Sequence, residues 1–160
     1  MTAVEAMTVT FELNGAEASY ELPVRWTLAD MLRDRAGLTG THLGCEHGIC
    51  GACTVLLDGE PVRSCLILAP QVEGRSVRTI ESLALNGELH PIQRAFREHH
   101  ALQCGYCTPG FIVLAAGLLE REPDASEERV REVLSSNLCR CTGYTPILKA
   151  VLAAQEELRS

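Results

Sequence analysis

Aromatic side chains are scarce: Phe, Trp and Tyr together make up 4% of the 160 residues. A core must therefore be filled mainly by Leu, Val, Ile and Ala, although the hydrophobic content, 46%, is ordinary for a globular chain. A basic excess is also missing. The formal net charge is −7, and a nucleic-acid partner would need a basic footprint, so that class is excluded. Net charge says nothing about fold. No apolar run reaches membrane length. The longest, Gly110 to Leu119, is far short of the ~20 residues that a spanning helix needs. Met1 to Met7 holds no basic region, no twin arginine and no apolar signal core, so a soluble, cytoplasmic protein is expected. No Ser-His-Asp set, phosphate loop or pair of catalytic carboxylates stands out, and no catalytic residue is assigned.

Along the chain, two styles of patterning follow one another. Thr8 to Asn14 alternates, with Val9, Phe11 and Leu13 on one face, and Asn14-Gly15 is a strong hairpin signal. Ala18 to Leu22 is the expected return strand. Thr27 can cap a short helix from Leu28 to about Arg35, which Gly37 would end. Gly40 to Gly51 is rich in Gly, Cys and His without hydrophobic period, and reads as a loop. Thr54–Leu57 and Val62–Leu68 read as strands around the turn Asp58-Gly59, with a last short strand at Val77–Ile80. Glu81 to Pro91 has no clear period and contains Asn86-Gly87, which places a domain boundary there. Beyond it the pattern is helical. Helices are expected over Ile92–His100, from Thr108-Pro109 to about Glu120, from Ser126, and from Thr145-Pro146 to about Leu158. Thr108 reads as an N-cap with Pro109 at the first helical position. The all-round apolar stretch Phe111–Leu119 reads as a buried core helix. The expected class is α+β, with domains at residues 1–83 and 84–160.

Against these absences stand eight cysteines in two sets of four. Cys45, Cys50, Cys53 and Cys65 read C-x4-C-x2-C-x11-C, the plant-type spacing for a 2Fe–2S cluster. The rival readings are a structural zinc site, disulfides or buried free thiols. Zinc usually takes two short cysteine pairs, whereas this set puts three ligands in one loop. Gly44, Gly48 and Gly51 let the backbone wrap closely round such a group. Cys104, Cys107, Cys139 and Cys141 read C-x2-C-x31-C-x-C. That spacing alone leaves three readings open: an iron–sulfur cluster, a zinc site, or a redox dithiol at Cys104 and Cys107. Haem attachment is excluded, because Thr108 stands where C-x-x-C-H needs histidine. If the second and third expected helices pack antiparallel, the chain goes out and back, and the two cysteine pairs meet. A twelve-residue helix is roughly 18 Å long, which suits the interval. The second helix would then point its N-terminal amides at the bound group. His42, His47, His90, His99 and His100 read as surface or loop residues, because each set is already complete. His42 and His47 flank the first set and are placed to tune it.

At three blocks the sequence resembles a known family. They are Gly40-Thr41-His42-Leu43-Gly44-Cys45 running into Gly48-Ile49-Cys50-Gly51-Ala52-Cys53-Thr54-Val55, then Gln103-Cys104-Gly105-Tyr106-Cys107-Thr108-Pro109-Gly110, then Asn137-Leu138-Cys139-Arg140-Cys141-Thr142-Gly143-Tyr144. All three match, in order, the small iron–sulfur subunit of the molybdenum hydroxylases, the xanthine oxidase family, over about residues 7–155. The detail looks closest to the three-subunit enzymes of the carbon monoxide dehydrogenase type. Many members carry Lys where His42 stands, a departure that touches no ligand.

The resemblance implies a ferredoxin-like β-grasp domain followed by an all-α four-helix-bundle domain, each with a 2Fe–2S cluster. It implies a large subunit holding molybdopterin, commonly the cytosine dinucleotide form, and a medium subunit holding FAD. Two such heterotrimers would pair as a heterohexamer. Electrons would pass from molybdenum through the helical-domain cluster, then the ferredoxin-like cluster, to flavin. Gln103 and Cys141 would approach the pterin. The rival is a freestanding ferredoxin-like carrier, against which the helical half argues.

Overall fold

The computed structural model describes residues 5–160. The first four residues, part of the Met1–Met7 stretch considered for an export signal, lie outside the described residues. Strands β1 (Ala6–Leu13) and β2 (Ala16–Pro23) pair antiparallel, with Leu13 opposite Ala16. Asn14 and Gly15 form the two-residue turn between them with φ of 53° and 83°, the positive pair that matches strand twist. Thr27 then caps α1 (Leu28–Asp30): its hydroxyl accepts from the Asp30 amide, and the Asp30 carboxylate accepts from the Thr27 amide. The helix continues over Met31–Arg35 as one widened turn, closed by the Ala36 amide on the Met31 carbonyl at 3.0 Å.

Strands β3 (Thr54–Leu57), β4 (Glu60–Arg63) and β5 (Ser76–Arg78) complete a five-stranded sheet in the order β2-β1-β5-β3-β4. Only the β1–β5 pairing is parallel. β4 differs from the expected Val62–Leu68. The two-residue turn at Asp58-Gly59 starts the strand at Glu60, and Ser64 ends it. The Ser64 hydroxyl donates to the Cys53 carbonyl at 2.7 Å, and residues 64–66 coil into a tight turn that carries Cys65 inward. β5 stops at Arg78 because the Asn14 side chain takes the Thr79 amide and hydroxyl.

After Asn86-Gly87 come four helices: α2 (Pro91–Glu98), α3 (Thr108–Arg121), α4 (Glu127–Leu134) and α5 (Thr145–Arg159). Ser126 caps α4 by accepting from the Arg129 amide. The expected cap at Thr108 is not formed, and Thr145, where α5 starts as expected, does not cap it either. Cys107 (φ −83°, ψ −12°) already lies in helical space ahead of α3, and left-handed Tyr144 (φ 69°) precedes α5. A side-chain cap needs an extended residue at that position, so both threonines become the first helical residue. Thr108 is left with a buried, unpartnered hydroxyl.

The sheet is covered on both faces at β3. Val55 and Leu57 join Val9, Phe11, Leu28 and Met31 in one core, while Leu56 joins α2, α3, α4 and α5 in another. This is strand alternation at work. Residues Gly110–Leu119 of α3 are all buried, because the helix lies between β3 and the other helices. Its contact with the cysteine loop is backbone against backbone. A Cβ on Gly110 would lie 2.3 Å from the Gly51 carbonyl oxygen and 3.1 Å from the Ala52 Cα. Both obstacles are backbone and cannot rotate away. Gly110→Ala is therefore expected to destabilise by about 2 kcal/mol or more, lowering Tm by ~4–8 °C for a chain of this size. A thermal melt within 1 °C of the parent would show that this contact is slack.

Candidate metal centres

The first four thiols are brought together by the Gly40–Gly51 loop, the start of β3 and the turn after β4. Cys53 and Cys65 are buried, packed with Ala29 and Leu43 under α1, while Cys45 and Cys50 are half-buried. Two side-chain pairs form: Cys45 reaches Cys50, and Cys65 reaches Cys53. The loop turns its amides onto sulfur. The Cys50 amide lies 3.3 Å and the His47 amide 3.4 Å from Cys45 Sγ. These two bonds pull the Cys45 pKa down to about 6. Burial, with the neighbouring Cys53, pushes Cys65 up to about 11.

The second four thiols meet as the helical out-and-back path requires. Cys104 and Cys107 stand before α3, and Cys139 and Cys141 follow α4. Pairing is crosswise rather than between sequence neighbours. Cys104 and Cys141 Sγ atoms are 3.6 Å apart, and Cys107 reaches Cys139. The pair Cys104/Cys141 is exposed and the pair Cys107/Cys139 half-buried. Burial, then the Cys139 thiol, pushes Cys107 up to about 12. Burial also opposes ionisation of Cys139, but the Thr142 hydroxyl and amide, at 3.1 and 3.4 Å, together with the Cys141 amide and the Cys107 thiol, hold that thiol below its ordinary value. α3 starts at the set as expected. The amide and hydroxyl bonds onto these sulfurs, however, come from the 139–142 loop and Cys104 rather than from the first turn of the helix.

This donor set suits a 2Fe–2S cluster at each location. All eight cysteines are free, and 3.6 Å between sulfurs is far beyond the ~2.05 Å of a disulfide. A 2Fe–2S cluster is held by four thiolates, two on each iron, and each set offers two pairs. A single zinc ion would instead need its donors gathered round one point, and among the described residues no three His, Cys, Asp or Glu side chains are gathered so. The amides and hydroxyl aimed at sulfur suit an anionic group.

The two sets are also joined to each other. The Leu138 amide donates to the Cys50 carbonyl at 2.9 Å, linking the residue before Cys139 to a cysteine of the first set. Asn137 is buried against Gly51, donating to its carbonyl at 3.3 Å. The His42 ring stacks on Tyr106, with centroids 4.8 Å apart, and its Nδ1 lies 2.8 Å from the Tyr106 carbonyl. The Tyr106 hydroxyl donates to the Leu43 carbonyl. A cavity of about 170 Å³ between the sets is lined by Cys50, Ala52, Cys104, Cys107, Cys139 and Cys141, among others. Gln103 is exposed beside the outer pair and donates to the Cys141 carbonyl at 3.1 Å. His47 lends its amide to Cys45, whereas His90 and His99 sit at the two ends of α2. Reading residues singly assigned no role to Asn137, Leu138, Tyr106, Thr142 or Tyr144. Their signal was position, since each lies within three residues of a cysteine and inside the blocks that carry the family resemblance.

Residues 11–84 match the family described as 2Fe-2S iron-sulfur cluster binding domain, and residues 79–152 match the 2Fe-2S binding domain family. The chain is 53% identical over 154 residues to the nicotine 6-hydroxylase small subunit of Paenarthrobacter nicotinovorans, covering 96% of this chain and 93% of that one. It is 50% identical over 146 residues to caffeine dehydrogenase subunit gamma of Pseudomonas sp. (strain CBB1), covering 89% and 87%. Quinoline 2-oxidoreductase from Pseudomonas putida 86 contains a chain that superposes with a TM-score of 0.92 at 48% identity, over 96% of both. Such similarity runs through both halves and every cysteine-bearing segment, and the chain belongs to the family of small iron–sulfur subunits of molybdenum hydroxylases.

Proposed function

We propose that this chain is the electron relay of a molybdenum hydroxylase complex. Cys45, Cys50, Cys53 and Cys65 hold one 2Fe–2S cluster, and Cys104, Cys107, Cys139 and Cys141 the other. When bound, each cluster takes up and releases one electron. The observation that carries the reading is the Leu138–Cys50 hydrogen bond, which joins the two ligand sets by a single non-covalent step. Electrons leaving molybdenum on a large subunit enter at the exposed Cys104/Cys141 pair, where Gln103 and Cys141 face the molybdopterin, in its cytosine dinucleotide form. They cross at Leu138 to the first set. They leave for FAD on a medium subunit near Ile49 and Leu66, which are 64% and 59% exposed beside Cys50 and Cys65.

In this reading the sheet and α1 form a β-grasp domain over residues 1–83, and α2 to α5 form a four-helix bundle over residues 84–160. The complex is a cytoplasmic dimer of heterotrimers. Among the described residues no helix is long and apolar enough to cross a membrane. The substrate is set on the large subunit. Nicotine, caffeine and quinoline, named for the relatives, are all N-heterocycles, so an N-heterocycle is the substrate class that we favour over carbon monoxide.

Iron and acid-labile sulfide in the purified complex are each expected at about four per copy of this chain. Values near two, or zinc in place of iron, would defeat the two-cluster reading. In the same complex, Cys141→Ser is expected to slow flavin reduction by substrate at least tenfold while leaving substrate affinity nearly unchanged. Stopped-flow measurement of the flavin band decides this, and an unchanged rate would remove Cys141 from the route.

A further inference from the structure

Thr142 lies one residue beyond the second cysteine set, yet its side chain turns back onto it. The hydroxyl oxygen is 3.1 Å from Cys139 Sγ and the amide nitrogen 3.4 Å from the same atom. Among the described residues this is the one side-chain hydroxyl bonded to a cysteine sulfur. Cys45 of the first set, by contrast, receives backbone amides, which many sequences could supply.

The direction of the hydroxyl bond follows from the acceptor: a thiolate ligand carries no proton, so its sulfur can only accept. The Tyr144 amide lies 3.2 Å from Thr142 Oγ1 and can only donate. A hydroxyl carries one proton and two lone pairs. The Tyr144 amide takes one lone pair and steadies the hydroxyl, whose proton goes to the thiolate sulfur. Tyr144 is itself held in place. Its left-handed backbone (φ 69°) is a conformation that a non-glycine residue rarely adopts. Its ring packs edge-on against Phe111 at 6.4 Å, and its hydroxyl accepts from the Cys139 amide at 3.0 Å. Cys139, Thr142 and Tyr144 thus form a closed knot, with one hydroxyl proton aimed at a ligand sulfur.

We infer that Thr142 is a positioning residue that sets the reduction potential of the second cluster. One added electron makes the cluster and its thiolates more negative. A donor on sulfur therefore stabilises the reduced form more than the oxidised one, and hydrogen bonds to sulfur are a recognised control on potential. The inference rests on the second set holding a 2Fe–2S cluster.

The test is an EPR-monitored redox titration of the purified native complex. Thr142→Val keeps the branched shape and removes the proton. It is expected to shift the second cluster about tenfold toward its oxidised form, ~59 mV lower for a one-electron couple, with the first cluster unmoved. Thr142→Ser is expected to titrate like the parent. A valine variant that retains four irons per chain with an unmoved midpoint overturns the inference. So does a serine variant displaced as far as valine, since that marks a packing role. Should the valine variant lose iron, the parent complex decides. After brief transfer to D2O, pulsed EPR of the reduced second cluster is expected to show a close, fast-exchanging deuteron that serine retains, and its absence overturns the inference. Failure of the cluster reading itself appears separately, as two irons per chain in the unaltered complex.

Discussion

The backbone at residue 51 runs directly against the backbone at residue 110, and the placing of both thiol sets depends on that approach. No side chain fits there: a Cβ on Gly110 would lie 2.3 Å from the Gly51 carbonyl oxygen, and one on Gly51, at φ +74°, would lie 2.0 Å from the Asn137 side-chain oxygen. With both positions glycine, the loop carrying Cys45 to Cys53 lies on the first turn of α3. Cys107, at the start of that helix, is thereby drawn to the loop. Asn137 and Leu138 then bring the far end of the α3–α4 excursion to the same place, through bonds to Gly51 and Cys50. Glycine in a cysteine loop is readily explained as room for a wrapped cofactor. At Gly51 the space goes instead to the other half of the chain.

Such an approach requires a stiff support, and β3 supplies it. Its residues face two cores at once, Val55 and Leu57 on the α1 side and Leu56 on the α3 side. Gly117 of α3 is a second close contact, with a Cβ there only 2.7 Å from Leu56. α3 therefore meets the sheet along much of its length, and both ends of the first cysteine loop are tied to elements that cannot shift independently. The Arg78–Glu120 pair between β5 and α3 adds two bonds of 2.9 Å at a half-exposed site, an arrangement that contributes at most ~1 kcal/mol. Packing, not charge, fixes the two halves.

What could be read from the sequence follows from how local each determinant is. Asn14-Gly15 and Thr27 with Asp30 act within four residues, so the first hairpin and the start of α1 were legible. The first cysteine set was legible for the same reason, since three of its members share one loop. The end of β4 was not, because it depends on Ser64 reaching the Cys53 carbonyl across the hairpin. The cap at Thr108 failed because the residue before it, Cys107, has a backbone set by the thiol site rather than by helix propensity. The gathering of the second set was legible from an out-and-back pair of helices, although α3 has 14 residues and α4 only 8. Its crosswise pairing was not, because spacing groups Cys104 with Cys107 whereas the fold groups Cys104 with Cys141 and Cys107 with Cys139. Those pairings, the family resemblance and the residues that hold them all lie in the three quoted blocks, where chain neighbours are least informative about spatial neighbours.

The junction also carries a cost that bears on its purpose. The Asn137 side-chain oxygen is buried without a partner, and such a group forfeits about 1–3 kcal/mol. Thr108, one residue beyond Cys107, has a buried hydroxyl in the same condition. An apolar side chain at either position would avoid the loss. An apolar residue at 137 would, however, remove the Asn137–Gly51 hydrogen bond that ties the chain after α4 to the first cysteine loop. Thr41, ahead of Cys45, has a third such oxygen, so among the described residues every buried unpartnered side-chain oxygen lies within four residues of a cysteine. That distribution fits a chain whose constraint is the separation between two redox centres, because electron transfer slows steeply with distance and is indifferent to which residues fill the gap. It fits a carrier of a single cluster poorly, since such a protein gains nothing from forcing two backbones together at residues 51 and 110.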